Sequence, residues 1–212
     1  MSGRRAGGPR PGAEGPRDAG TASGRPGDDG SRAPRDTLRL FVAGELPRDV
    51  RHAIAAWQEA QLAPQRELRL NRSLHLTLCF LGDVAREAVP GIAAALGAID
   101  FTAVPLTPAE ALFLPEHGPK RVVALRLDDP TGALVRLQGA VSAALAALGV
   151  YEPERRPYLP HLTVARFRQK GHPFPLQNVN IPEFRLGRVV LYSSLLERGG
   201  AVHTPLEIFP AS

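Results

Sequence analysis

The sequence predicts an α+β protein with antiparallel sheets, and three observations lead there. Strand-like apolar runs outnumber helical ones and do not alternate with them in the regular order of a doubly wound parallel sheet. Hydrophobic residues make up 43% of the 212-residue chain, enough for a buried core. The single cysteine excludes an intramolecular disulfide and a multi-cysteine zinc or iron–sulfur site, so that core must hold the fold.

Residues 1–36 carry nine glycines and five prolines but no Leu, Ile, Val, Phe, Tyr or Trp. They cannot bury enough apolar surface to offset the entropy of ordering, so a disordered tail serving as a spacer is expected there, with the folded unit over 37–212. That unit opens with a strand at 38–43 (Leu-Arg-Leu-Phe-Val-Ala). Pro47 then suits a first helical turn, and Val50, Ile54, Trp57 and Leu62 recur at helical spacing, which predicts a helix over 47–62. Strands follow at 68–70 and 74–81. The alanine-rich stretch 83–99 reads as a second helix despite Pro90 and Gly91. Strands are expected at 101–106, 109–114 and 121–127, and a helix over 130–148 carries Leu134, Leu137, Val141, Leu145 and Leu148, closed by Gly149. The remaining strands fall at 158–167, 183–196 and 202–209.

The chain carries 26 basic and 21 acidic residues, a net charge of +5. Only Lys120 and Lys170 are lysines; arginine makes up the rest, a bias too general to identify an anionic partner. No apolar run reaches 18 residues, and the basic N-terminus is not followed by an apolar h-region, which predicts a soluble, cytoplasmic protein.

Two segments carry chemistry: Leu74-His75-Leu76-Thr77-Leu78 and Pro160-His161-Leu162-Thr163-Val164. Each is a His-x-Thr inside an apolar strand. Side chains at i and i+2 share a strand face, so each His stands beside its Thr while Leu76, Leu78, Leu162 and Val164 face inward. Each half thus offers an imidazole titrating near ~6.5 and a hydroxyl that can donate to an anion. Facing each other across a cleft, the two imidazoles can act as general base and general acid on opposite sides of one phosphorus, in either assignment. A metal site is not expected, because each motif supplies one good ligand and no carboxylate.

On these motifs the chain resembles the 2H phosphoesterases, and most closely the bacterial and archaeal RNA 2′,3′-cyclic phosphodiesterases, historically called 2′-5′ RNA ligases. The likeness spans 37–212. It takes in Arg39-Leu40-Phe41-Val42-Ala43, Leu46-Pro47, the stretch from His75 to Gly82, that from Arg156 to Arg166, and Val189-Val190-Leu191-Tyr192-Ser193-Ser194. The resemblance implies two pseudo-symmetric lobes, each with an antiparallel sheet, helices and one His-x-Thr motif, around a V-shaped cleft. It also implies metal-independent hydrolysis of an RNA terminal 2′,3′-cyclic phosphate to a 2′-phosphomonoester, with no cofactor. By motif, His75 is then the proton donor to the departing 3′ oxygen and His161 the proton acceptor from water. Thr77 and Thr163 would hold the non-bridging oxygens. The partner is an RNA end; no membrane and no protein partner are implied, and a monomer is expected.

Arg166, Phe80, Tyr158 and Phe41 are further substrate-binding candidates. Strict alternation sets Arg166 opposite His161 and Phe80 opposite His75, unless a bulge re-aims them, and sets Cys79 on the cleft face. His52, His117, His172 and His203 fall outside both motifs and read as surface or loop residues. The competing functions are a 2H relative acting on a small cyclic nucleotide and a module that binds RNA ends without catalysis.

Overall fold

The computed structural model describes residues 36–197 and 200–212. The tail expected over 1–36 lies outside the described residues except for Asp36, whose carboxylate accepts Arg86 Nε at 2.6 Å.

Two antiparallel sheets carry the described chain. One has the order β3-β1-β8-β9 and the other β2-β6-β5-β4-β7. The strands are β1 (Thr37–Gly44), β2 (Leu68–Leu70), β3 (Leu76–Ala85), β4 (Val104–Leu114), β5 (Lys120–Asp128), β6 (His161–Gly171), β7 (Phe184–Leu186), β8 (Arg188–Glu197) and β9 (Gly200–Pro210). The helices are α1 (Arg48–Gln61), α2 (Val89–Gly97) and α3 (Ala133–Ala147), with a 3-10 turn at Arg86–Ala88. The expected α+β architecture with two antiparallel sheets is therefore present, with β3 in one and β6 in the other, although the sheets do not divide the chain into sequential halves. β2 joins the second sheet, and the C-terminal hairpin β8–β9 returns to the first.

One apolar core draws on both sheets. Val50, Ile54 and Trp57 of α1 are buried, and so is Gln58. α3 starts after Gly132 and buries Leu134, Leu137, Val141 and Leu145, whereas Leu148, read as part of that face, caps the helix end and is 45% exposed. Gly149 follows at φ +69°, the left-handed geometry that ends a helix. Where the sheets meet, a methyl group on Gly44 would lie 2.5 Å from Leu186 Cδ1, so β1 and β7 close over a glycine.

Several element boundaries differ from the sequence reading. Residues 83–85 are strand, because β1 reaches back to Thr37 and supplies partners for Asp83, Val84 and Ala85. The helix starts only at Val89, with Pro90 in its first turn, where a missing N–H is tolerated. The two strands expected over 101–114 are one, β4, with an irregularity between Pro108 and Ala111. The strand expected over 183–196 is two: the chain passes from the second sheet to the first at Gly187, between β7 and β8. The strand expected from 158 begins at His161, and that expected from 74 begins at Leu76. Among the described residues no helix is long and apolar enough to cross a membrane.

Candidate active site

The two motif strands share a defect that decides what faces the cleft. On β3, Cys79 pairs with Val42 and Thr77 with Ala43, which leaves Leu78 extra. On β6, Ala165 pairs with Val123 and Thr163 with Ala124, which leaves Val164 extra. Each is a β-bulge just after the motif threonine. Two consecutive side chains turn inward as a result: Leu78 and Cys79 are 3% and 2% exposed, and Val164 and Ala165 are fully buried. The alternation then resumes inverted. Phe80 and Arg166 emerge on the faces of Thr77 and Thr163 and line the cleft.

The bulges overturn the strict-alternation reading of three residues. Arg166 and Phe80 lie on the cleft side, and Cys79 does not. Burial pushes the Cys79 thiol up to about 11, only partly offset by the hydroxyl of Tyr151 and the amide of Gln138, so it is a packed, protonated side chain.

Both histidines are oriented by the same local device. His75 Nδ1 lies 2.9 Å from the Ser73 carbonyl, and His161 Nδ1 lies 2.8 Å from the Leu159 carbonyl, each two residues upstream. A carbonyl only accepts, so Nδ1 carries the proton in both rings and Nε2 is left for chemistry. His75 packs 4.9 Å from the Phe41 ring. Its pKa is lowered to about 4 by burial first and by the charge of His203 second; the Ser73 carbonyl opposes this and Arg166 adds to it. In the protein alone, His75 is neutral near pH 7.

A cavity of about 910 Å³ contains His75, Thr77, Phe80 and Phe41 from the first sheet and Thr163 and Arg166 from the second. His161 and Tyr158 are not on its lining. His161 precedes Thr163 by two residues on β6, on the same face and about 6.8 Å along the strand. Tyr158 donates its hydroxyl to the Thr77 carbonyl at 2.8 Å. Its contact is with the motif backbone.

That bond has a counterpart. Asn71, four residues before His75, donates Nδ2 to the Thr163 carbonyl and its backbone N–H to the Val164 carbonyl, both at 2.8 Å. The buried amide of Gln58 adds Nε2 bonds to Asn71 O at 2.9 Å and Val164 O at 2.6 Å. Each motif strand is thus gripped by the segment that leads into the other motif. The two threonines are held in one cavity by these crossed clamps.

Sequence reasoning missed several cleft residues. Arg39, Arg69 and Arg72 line it beside Arg166. Arg72 meets Glu59 at 2.5 Å, while Arg39, Arg69 and Arg166 have no carboxylate partner among the described residues. The Arg39 guanidinium stands 4.8 Å over the ring of Phe80, which is 48% exposed and offers a stacking surface. His203, read as a surface histidine, also lines the cleft, with its ring 5.2 Å from that of His75. Arg39 shares strand parity with Phe41 and was within reach of a pattern argument; nothing local marks His203. Among the described residues no three His, Cys, Asp or Glu side chains gather as a metal-binding group, and the cleft lining includes no carboxylate.

A family model described as the 2′-5′ RNA ligase superfamily matches residues 46–193. The chain is 30% identical over 174 residues to the RNA 2′,3′-cyclic phosphodiesterase of Escherichia coli K12, covering 80% of this chain and 94% of that one. It is 25% identical over 173 residues to the protein of the same name from Methanocaldococcus jannaschii, covering 78% and 96%. Among solved structures, it is similar to E. coli LigT in apo form, with a TM-score of 0.71 and 28% identity over 83% of this chain and 98% of that one.

Proposed function

The chain belongs to the 2′-5′ RNA ligase superfamily, and from that premise we propose that it hydrolyses the 2′,3′-cyclic phosphate at an RNA end to a 2′-phosphomonoester. The reading makes it a hydrolase that works by acid–base catalysis between two histidines, without a metal ion. The relatives named RNA 2′,3′-cyclic phosphodiesterase support the reaction class. The observation that carries the mechanism is the pair of matched, bulged strands, each with a His whose Nδ1 is tied to a carbonyl and a Thr that lines the same cavity.

In this mechanism His161 Nε2 takes a proton from water as the water oxygen bonds to phosphorus. The bond from phosphorus to the 3′ oxygen breaks, and His75 Nε2–H protonates that oxygen. Thr77 and Thr163 donate to the non-bridging oxygens as charge builds there, and the Arg166 guanidinium offsets that charge. The product holds its phosphate on the 2′ oxygen, and solvent resets the two rings.

His75 is neutral near pH 7 in the protein alone, so its role as acid requires a proton taken up with the substrate. An anionic phosphodiester supplies the reason, since a negative charge beside the ring raises its proton affinity. The same depressed pKa favours a second reading, in which His75 is the base and His161 the acid.

The test is turnover of an RNA ending in a 2′,3′-cyclic phosphate with EDTA present. The wild type should turn over, and His75→Ala and His161→Ala should each lose about a hundredfold or more. Loss of wild-type turnover in chelator, restored by a divalent ion, would replace the mechanism with metal-assisted hydrolysis. A single-histidine variant of near-wild-type activity would end the two-histidine reading.

A further inference from the structure

His203 has no part in the mechanism above and belongs to no motif, yet it sits against the proposed proton-transfer histidine. It reaches the cleft from β9, the edge strand of the first sheet. Its ring lies 5.2 Å from His75 at 89°, edge to face, and 4.8 Å from Phe41 at 74°. Phe41 in turn packs 4.9 Å from His75 and stacks at 5.1 Å on Tyr192. The rings of His75, Phe41 and His203 therefore touch one another pairwise, so that His75 packs against both of the others.

The chemistry of His203 suits more than packing. Its Nδ1 is buried without a hydrogen-bond partner among the described residues. An unpaired buried nitrogen destabilises a fold, and a phenyl ring would make the same contacts without that loss. The charges around His75 share one sign. Arg166 faces it from β6 and His203 from β9; Arg39 on β1, Arg69 on β2 and Arg72 just after it line the same cleft, and Tyr192 on β8 is a further titratable neighbour among the described residues. Two imidazolium rings at this separation, with no carboxylate on the lining among the described residues, repel each other. Burial already lowers the proton affinity of His203, and a proton on His203 lowers that of His75 further.

We propose that His203 is a positioning residue for His75: its ring fixes the His75 plane, and its charge makes protonation of His75 depend on the arrival of the substrate's phosphate. The inference rests on the proposed function only in taking His75 as a proton-transfer group.

The test is an NMR titration of the His75 ring in the full chain, for wild type, His203→Phe and His203→Gln, paired with the pH dependence of turnover. His203→Phe keeps a ring against His75 and Phe41 and removes the charge; His203→Gln removes both. Both variants should raise the His75 midpoint, by about threefold or more in proton affinity, and shift the matching limb of the pH–rate profile upward. Only His203→Gln should lower kcat, by about tenfold. A His75 midpoint unchanged in His203→Phe overturns the proposal, as does an unaltered pH profile in that variant. Should a His203 variant fail to fold, the reciprocal measurement decides: the His203 midpoint must rise in His75→Ala, and a fixed midpoint overturns the proposal. The titration needs no substrate, so failure of the proposed RNA activity and failure of this coupling are separate results.

Discussion

His75 is where the acid–base assignment can be decided. Burial and neighbouring cations lower its pKa from 6.5 to about 4, so the native state resists a proton that the unfolded chain accepts. Stability should therefore fall as pH drops from about 6.5 to 4, at a cost of about 3 kcal/mol that is complete below the lower value. Replacing His75 with Gln should flatten that part of the stability curve, and urea melts at pH 7 and 4.5 measure it. An unchanged pH difference would mean that His75 titrates normally. The role itself is read with a substrate whose leaving group needs no proton. If His75 is the acid, such a substrate rescues His75→Ala far better than His161→Ala; the opposite pattern assigns the acid to His161. Arg166 belongs to the same scale. Losing a charged hydrogen bond to phosphate costs about 1.5–3 kcal/mol, so Arg166→Ala should lower kcat/KM by roughly ten- to a hundredfold. It should also raise the His75 midpoint, since Arg166 helps to lower it.

The elements explain which residues a sequence can and cannot disclose. The His-x-Thr pairs were legible because a period of two inside a short apolar strand fixes a shared face without knowledge of any partner strand. Phe80 and Arg166 were not settled, because the extra residues Leu78 and Val164 appear only once β1 and β5 supply the register. The crossed clamps were less legible still. Asn71 and Tyr158 look like ordinary pre-strand residues, and only the folded chain joins Asn71 to the Thr163 carbonyl and Tyr158 to the Thr77 carbonyl. Tyr158→Phe removes one neutral hydrogen bond and should cost about 1 kcal/mol of stability. Because that bond sets the height of Thr77, kcat should fall several-fold while KM changes little. A large rise in KM with kcat preserved would instead make Tyr158 a substrate contact.

At the scale of the whole molecule, the α+β class with antiparallel sheets was readable from strand-rich patterning and the arrangement in two sheets only from the family resemblance, but the passage of the chain between sheets at Gly187 was not, since 183–196 reads as one continuous strand. His203 lies beyond that crossing and enters the cleft only because β9 returns to the first sheet. The N-terminal segment bears on function through composition alone. With no Leu, Ile, Val, Phe, Tyr or Trp to dock and seven arginines, deletion of residues 1–35 should leave the melting temperature and turnover of a dinucleotide cyclic phosphate almost unchanged. It should weaken only the binding of longer RNA at low salt. A deletion that unfolds the protein would make the segment structural.

The central claim is that this cleft opens a 2′,3′-cyclic phosphate by protonating the 3′ oxygen, with no metal ion taking part. Phosphorus NMR of an RNA ending in that group, followed through complete turnover by purified full-length protein in EDTA, tests it most directly. The account predicts a single product resonance, that of the 2′-phosphomonoester; a 3′-phosphomonoester, or an intact cyclic phosphate, would contradict it.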